Sequence, residues 1–130
     1  MMSNFRAIDR GLCEILGVLR KDGIIIFVTA STEATEGNWV SLSYSFPEND
    51  KPLQSGDTVK LLIQGIDVVL YDYFWTEADY IGAAERAGLI LATLHKPLGF
   101  RDDSIEWRDE TKKSPTAIYV LRNSSLTSQP

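Results

Sequence analysis

Apolar residues run unbroken through Ile24-Ile25-Ile26-Phe27-Val28, whereas upstream they recur at intervals of three and four. The two patterns predict two elements. Phe5, Ile8, Leu12, Ile15, Leu16 and Leu19 fall along one stripe of a helix that opens near Ser3 or Asn4. Arg20 and Lys21 suit the negative C-terminal end of that helix, and Gly23 can close it in the left-handed conformation. The run from Ile24 to Thr29 predicts a strand buried on both faces, as in a parallel sheet covered by helices on each side. On this reading the sequence enters in the middle of a fold.

Thr32 to Pro52 sustains no period and is expected to be a loop excursion, with a short extended piece at Val40, Leu42 and Tyr44. Thr58 to Ile63 and Ile66 to Trp75 predict a hairpin joined at Gln64-Gly65, where glycine supplies the positive φ of a tight turn. Period two then sets Val69, Tyr71, Tyr73 and Trp75 on one face and Ile66, Val68 and Leu70 on the other. Thr76-Glu77-Ala78-Asp79 predicts a capping box, with Trp75 and Tyr80 at the two staple positions. Tyr80, Ala83, Ala84 and Ala87 make a thin apolar stripe, and Gly88 ends the helix. Leu89 to Leu94 predicts a second buried strand, left by His95-Lys96-Pro97-Leu98-Gly99. Arg101 to Lys113 is a charged connector, Thr116 to Arg122 a last strand, and Ser124 to Pro130 a polar tail. The expected organisation is one domain: helix and strand over 1–31, loop and hairpin over 32–75, helix and two strands over 76–123, tail over 124–130.

Composition narrows the classes. A chain of 130 residues with 44% hydrophobic and 24% charged residues can bury about two thirds of its unfolded surface in one core. The net charge of −5 provides no positive field to neutralise phosphates, which argues against nucleic acid as a general partner. The single cysteine, Cys13, excludes an internal disulfide, and it falls beside the first apolar stripe as a small buried hydrophobe. A reduced compartment is the simplest assumption. Behind Met1-Met2 there is no basic stretch leading to an apolar core, and no apolar run nears the ~20 residues of a membrane span. The expected location is cytoplasmic, with no membrane partner.

Val18-Leu19-Arg20-Lys21-Asp22-Gly23 before the Ile24 strand resembles the segment ahead of the fifth strand in class I S-adenosylmethionine-dependent methyltransferases, usually Val-Leu, a basic residue and Pro-Gly-Gly. Lys21 and Asp22 stand where that family has Pro and Gly. Trp75-Thr76-Glu77-Ala78-Asp79-Tyr80, then Glu85-Arg86-Ala87-Gly88-Leu89, resembles the family's following helix and its Ala-Gly entry to the sixth strand. Thr116 to Arg122 would be the reversed seventh strand, inserted between the fifth and sixth. The order and spacing of these segments carry the likeness, which covers most of the chain. It implies an α/β fold: part of a Rossmann-like methyltransferase sheet, made of the fifth, sixth and seventh strands with two helices, plus an inserted β-hairpin lid. It also implies S-adenosyl-L-methionine as cofactor. The family holds that cofactor with a Gly-rich turn after its first strand and an acidic residue ending its second. The nine glycines here never form G-x-G, so the resemblance makes this chain the half that does not bind the cofactor.

The family's substrate lid lies between its fifth strand and next helix, so Tyr71, Tyr73 and Trp75 are candidates for an aromatic wall over a substrate; ordinary cross-strand packing is the alternative. Thr29 and Ser31, near the carboxyl end of the first strand, are candidates for ligand contact or for capping backbone groups. His95 leaves the carboxyl end of a strand, where α/β proteins place ligands, and could serve as a general base or be structural. Thr29, Ser31, Tyr71, Tyr73, Trp75 and His95 form the expected substrate-binding set. Asp102-Asp103 with Glu106, Asp109 and Glu110 lacks a His or Cys ligand and carries interleaved basic residues, so a solvated loop is expected and no metal. The resemblance implies methyl transfer to an oxygen, nitrogen or carbon of a small molecule, with orientation and water exclusion as the enzyme's contribution. The other reading is a non-catalytic binding or assembly module of the same fold. Expected partners are the small-molecule substrate and either a second copy, joined around the Ile24 strand and first helix, or a missing N-terminal half.

Overall fold

The computed structural model describes residues 2–102 and 104–123, with side chains from residue 8 onward. The expected stripe position at Phe5, Asp103 of the acidic loop and the tail from Ser124 to Pro130 therefore lie outside the described residues or side chains. Among the described residues the chain forms α1 (Met2–Val18), β1 (Ile24–Ala30), β2 (Leu42–Ser43), β3 (Thr58–Ile63), β4 (Val68–Tyr73), α2 (Glu77–Arg86), β5 (Leu89–His95) and β6 (Thr116–Asn123). They build two three-stranded sheets, ordered β1-β6-β5 and β2-β3-β4. β6 is antiparallel to both of its neighbours, so β1 and β5 point the same way across it. The parallel sheet expected from the Ile24 run is thus replaced by antiparallel ladders, because the returning strand separates the two co-directed ones. No helix among the described residues is long and apolar enough to cross a membrane.

Both helices lie on one face of the first sheet. Leu12 of α1 and Ala83, Ala84 and Ala87 at α2 meet Ile25, Leu89 and Leu121, with Ile8, Leu16, Leu19, Phe27 and Leu91 around them. The alanines carry no bulk beyond Cβ, which lets α2 approach the strands closely, and each buried aliphatic side chain contributes about 1.5–3 kcal/mol. The start of α2 is fixed as expected: Asp79 N donates to Thr76 Oγ1 at 3.2 Å and Thr76 N donates to Asp79 Oδ2 at 2.9 Å. Gly88, with φ of 87°, ends it. Arg86 ties α2 to Asp9 of α1 at 3.0 Å.

β1 is not buried on both faces. Ile25 is 8% exposed, but Ile24, Ile26 and Val28 are 55%, 59% and 63% exposed, because no described helix crosses to their side. They pair with Arg122, Val120 and Ile118, so the open face continues onto β6. α1 ends at Val18, leaving Arg20 and Lys21 beyond its last turn. Gly23 does not adopt positive φ; a Cβ there would meet Leu19 Cδ1 at 2.7 Å, so the glycine serves a close approach. Cys13 is exposed instead of buried, lying off the stripe that α1 presents to the sheet.

The 32–75 segment is more ordered than a loop with a hairpin. Ile63 pairs with Val68, so the turn spans Gln64 to Asp67, with Gly65 and Asp67 at positive φ, and Ile66 belongs to the turn. β4 ends at Tyr73, before Trp75. Trp39, 1% exposed, anchors a second core with Ala34, Tyr44, Val59 and Leu61, and its Nε1 donates to Ala34 O at 2.7 Å. Asn49 fastens the strand side of this core, donating to Tyr44 O and Lys60 O and accepting from Lys60 N. The charged connector is also partly interior. Glu110 is 4% exposed, and its carboxylate accepts from Val40 N at 2.7 Å and Arg108 N at 2.9 Å.

Candidate functional site

The carboxyl end of β1 meets the β3–β4 hairpin and the start of α2, and two concavities share that junction. The smaller is lined by Thr29, Ala30, Ser31, Ala34, Thr35, Tyr44, Val59, Asp72, Tyr73, Phe74, Trp75 and Tyr80. Its volume of ≈ 20 Å³ has room for a water molecule and not for a substrate. The larger is an open groove of ≈ 490 Å³ whose floor is Val28, Thr29, Ala30, Pro115 and Thr116 and whose wall is Leu42, Tyr44, Leu61, Leu70, Tyr71 and Asp72. That size falls in the range of small-molecule sites.

The polar groups here are mostly spoken for. Thr29 Oγ1 and Tyr80 Oη share a hydrogen bond of 3.0 Å, while Ser31 Oγ donates to Ser114 O at 2.6 Å and is buried. Beneath them Phe27 and Tyr119 stack at 4.7 Å, and Tyr80 tilts against both rings. Burial pushes the Tyr44 phenol up to about 12, with the Asp72 charge adding to it. Burial likewise raises Tyr80, against the lowering effect of its bond to Thr29. Tyr119 is raised by burial first, then by the negative charge of Glu77. These three hydroxyls therefore stay protonated near neutral pH and can donate or accept hydrogen bonds without serving as bases.

Beside them stands an ion cluster. Lys96, just past β5, contacts Glu77 at the start of α2 and lies 3.2 Å from Glu33. Its hydrogen bond to Glu77 raises its pKa, with Glu33 adding to the effect and burial opposing it. The ammonium is held as a cation, which makes it a strut between α2 and the turn after β1 and removes it as a neutral base.

Of the expected substrate-binding residues, the structure brings Thr29, Ser31, Tyr73 and Trp75 to the small pocket and Thr29 and Tyr71 to the groove. Tyr71 and Tyr73 are exposed on β4, and Trp75 is buried. His95 ends β5 opposite Ile118, exposed and apart from both concavities. Among the described residues no group of three or more His, Cys, Asp and Glu is placed to hold a metal. Tyr44 and Asp72 are two lining residues outside the expected set. Asp72, a charge between two tyrosines in an apolar strand, was the available signal. The arrangement offers an aromatic and aliphatic wall, one carboxylate and neutral hydroxyls, which suits binding and orientation.

No protein-family model and no curated protein matches the sequence. Among solved structures the chain is similar to a S-adenosylmethionine-dependent methyltransferase from Clostridium acetobutylicum ATCC 824, with 10% sequence identity and a TM-score of 0.48. The match covers 88% of this chain and 50% of that one, so the chain spans half the length of that protein.

Proposed function

We propose that this chain is the substrate-side portion of a class I S-adenosylmethionine-dependent methyltransferase, and that it takes a small molecule in the groove between β1 and the β3–β4 hairpin. The observation that carries the reading is the strand order: β6 runs antiparallel between the co-directed β1 and β5, the place and direction that the resemblance implies for a reversed seventh strand. The elements that the resemblance marks as helix and sixth strand, α2 and β5, follow in the implied order.

The residues present do not fit the cofactor. The N-terminus of α2 has its Asp79 amide bonded to Thr76 and carries Glu77 and Asp79 in its first turn, a poor seat for an anionic group. The glycines supply no G-x-G turn whose amides could approach one. No chemical step is therefore assigned to these side chains. Their part is to bind: Leu61 and its cross-strand partner Leu70 offer an apolar wall with Tyr71 at its edge, and Asp72 offers a polar contact that fixes orientation.

Amide NMR of the chain tests this, with S-adenosylmethionine and a panel of small aromatic alcohols and amines added separately. The expected result is shifts at Thr29, Tyr71 and Asp72 with the panel and none with the cofactor. A micromolar complex with S-adenosylmethionine would overturn the statement about the cofactor, and a panel that leaves the groove amides unmoved would overturn the groove as substrate site. A binding or assembly module without chemistry is the second reading. It is favoured by the commitment of the Ser31 hydroxyl to backbone and by the open face of β1.

A further inference from the structure

We infer that β1 joins two copies of this chain, edge to edge and antiparallel, about a two-fold axis at Ile26. β1 is an outer strand that pairs only with β6 among the described residues, so one row of its backbone donors and acceptors faces outward. Monomeric proteins blunt such edges with charge, proline or a bulge. Ile24–Ala30 has neither charge nor proline, and its register with β6 runs without a shift. β4, an outer strand of the second sheet, differs in carrying Asp72.

Two further patterns select a second copy as the occupant and fix its direction. The exposed apolar residues Ile24, Ile26 and Val28 are symmetric about Ile26. Antiparallel pairing centred there sets Ile26 against the partner's Ile26 and Ile24 against the partner's Val28, on one face, while Ile25 meets the partner's Phe27 on the other. Centring on Phe27 would instead set Ile24 against the partner's Ala30, and register follows the better apolar match. The flanks agree. Arg20 and Lys21 precede β1, whereas Glu36 and Glu33, the latter shared with Lys96, follow it, so antiparallel pairing lays the basic flank of each copy along the acidic flank of the other. Parallel pairing would set like charges together. Asp22 would then stand opposite the partner's Ala30, at the rim of the groove, and the interface would help to wall that site. The methyltransferase reading offers the same edge to a strand of the cofactor-side half, so this inference concerns the chain alone and a monomeric parent overturns it without touching that reading.

The test is the mass of the full chain by sizing with light scattering at micromolar concentration, with far-UV circular dichroism confirming that each variant folds. The chain should be a dimer, and Ile26→Lys, at a position already exposed to solvent, should weaken association by roughly a hundredfold or more by forcing two cations together. In a Cys13→Ser background, Ile26→Cys should oxidise to a covalent dimer, because opposed residues in an antiparallel pair lie within disulfide reach. Ile24→Cys should not cross-link to itself. A monomeric parent chain, or a dimer that Ile26→Lys leaves intact, would overturn the inference. Cross-linking through Ile24→Cys as readily as through Ile26→Cys would overturn the register.

Discussion

On one face of the β1-β6-β5 sheet, Ile25, Leu89, Tyr119 and Leu121 are 8% exposed or less; on the other, Ile24, Ile26 and Val28 are each more than half exposed. The residue types hardly differ. What differs is the cover, since α1 and α2 both fall on the first face. An unbroken apolar run thus reports how many faces of a strand call for cover, and the path of the chain decides how many receive it. The second sheet makes the same point more mildly. Val59 and Leu61 of β3 are buried in the core around Trp39, while β4 is exposed along its whole length.

The largest expected effect comes from breaking the covered face. Leu121→Ala, at 1% exposure, should lower stability by about 2–5 kcal/mol through lost transfer energy and a cavity. Val28→Ala on the open face should cost less than about 0.5 kcal/mol in dilute solution. Denaturant midpoints for the two variants, compared at the same low concentration, check the contrast.

Next in size is an alkaline transition. A phenol whose pKa is raised on folding contributes stability that is fully present below its unfolded value of about 10 and is lost as pH climbs through the folded value. For Tyr44, pushed up to about 12, the loss is about 2–3 kcal/mol between those two points. Tyr80 and Tyr119, raised in the same direction, should steepen it. Chemical denaturation from pH 9 upward in the parent and in Tyr44→Phe, which should lose part of this dependence, is the measurement.

Glu110→Ala should cost about 1–3 kcal/mol, because the Val40 and Arg108 amides lose their acceptor in a buried site. Glu110→Gln, which keeps one accepting oxygen, should recover part of that by the same assay. The smallest effect is expected from Thr76→Ala. Removing the cap of α2 should cost about 1 kcal/mol, read as a shift in thermal midpoint with no change in the exposure of β1.

Much of this was legible locally. The capping box at Thr76 and Asp79, the stop at Gly88 and the alanine stripe of α2 involve residues within a turn or two of one another, so spacing alone specified them. The insertion of Thr116–Asn123 between β1 and β5 followed from the family resemblance instead, since pairing partners so distant in sequence leave no local mark. The open face of β1 was hidden because Ile24 to Val28 carry the same hydrophobicity on both sides. The second core was hidden because its anchors lie in irregular backbone: Trp39 sits flush against Gly37, and Glu110 reaches Val40 across 70 residues of sequence. At the candidate site, Thr29, Ser31, Tyr71, Tyr73 and Trp75 lay in segments that the chain brings together. Tyr44 joins them only through the packing of the hairpin, Asp72 lies between Tyr71 and Tyr73 on the same strand, and His95 is carried away by the width of the sheet.

Hydrogen–deuterium exchange resolved to single amides tests most directly the claim that β1 has one face covered by its own chain and an edge awaiting another copy. At high protein concentration, the outward amides of Ile24–Ala30 should be protected, and dilution below the dissociation constant should speed their exchange while the β5 and β6 amides keep their protection. Exchange across β1 that is identical at both concentrations would contradict the account.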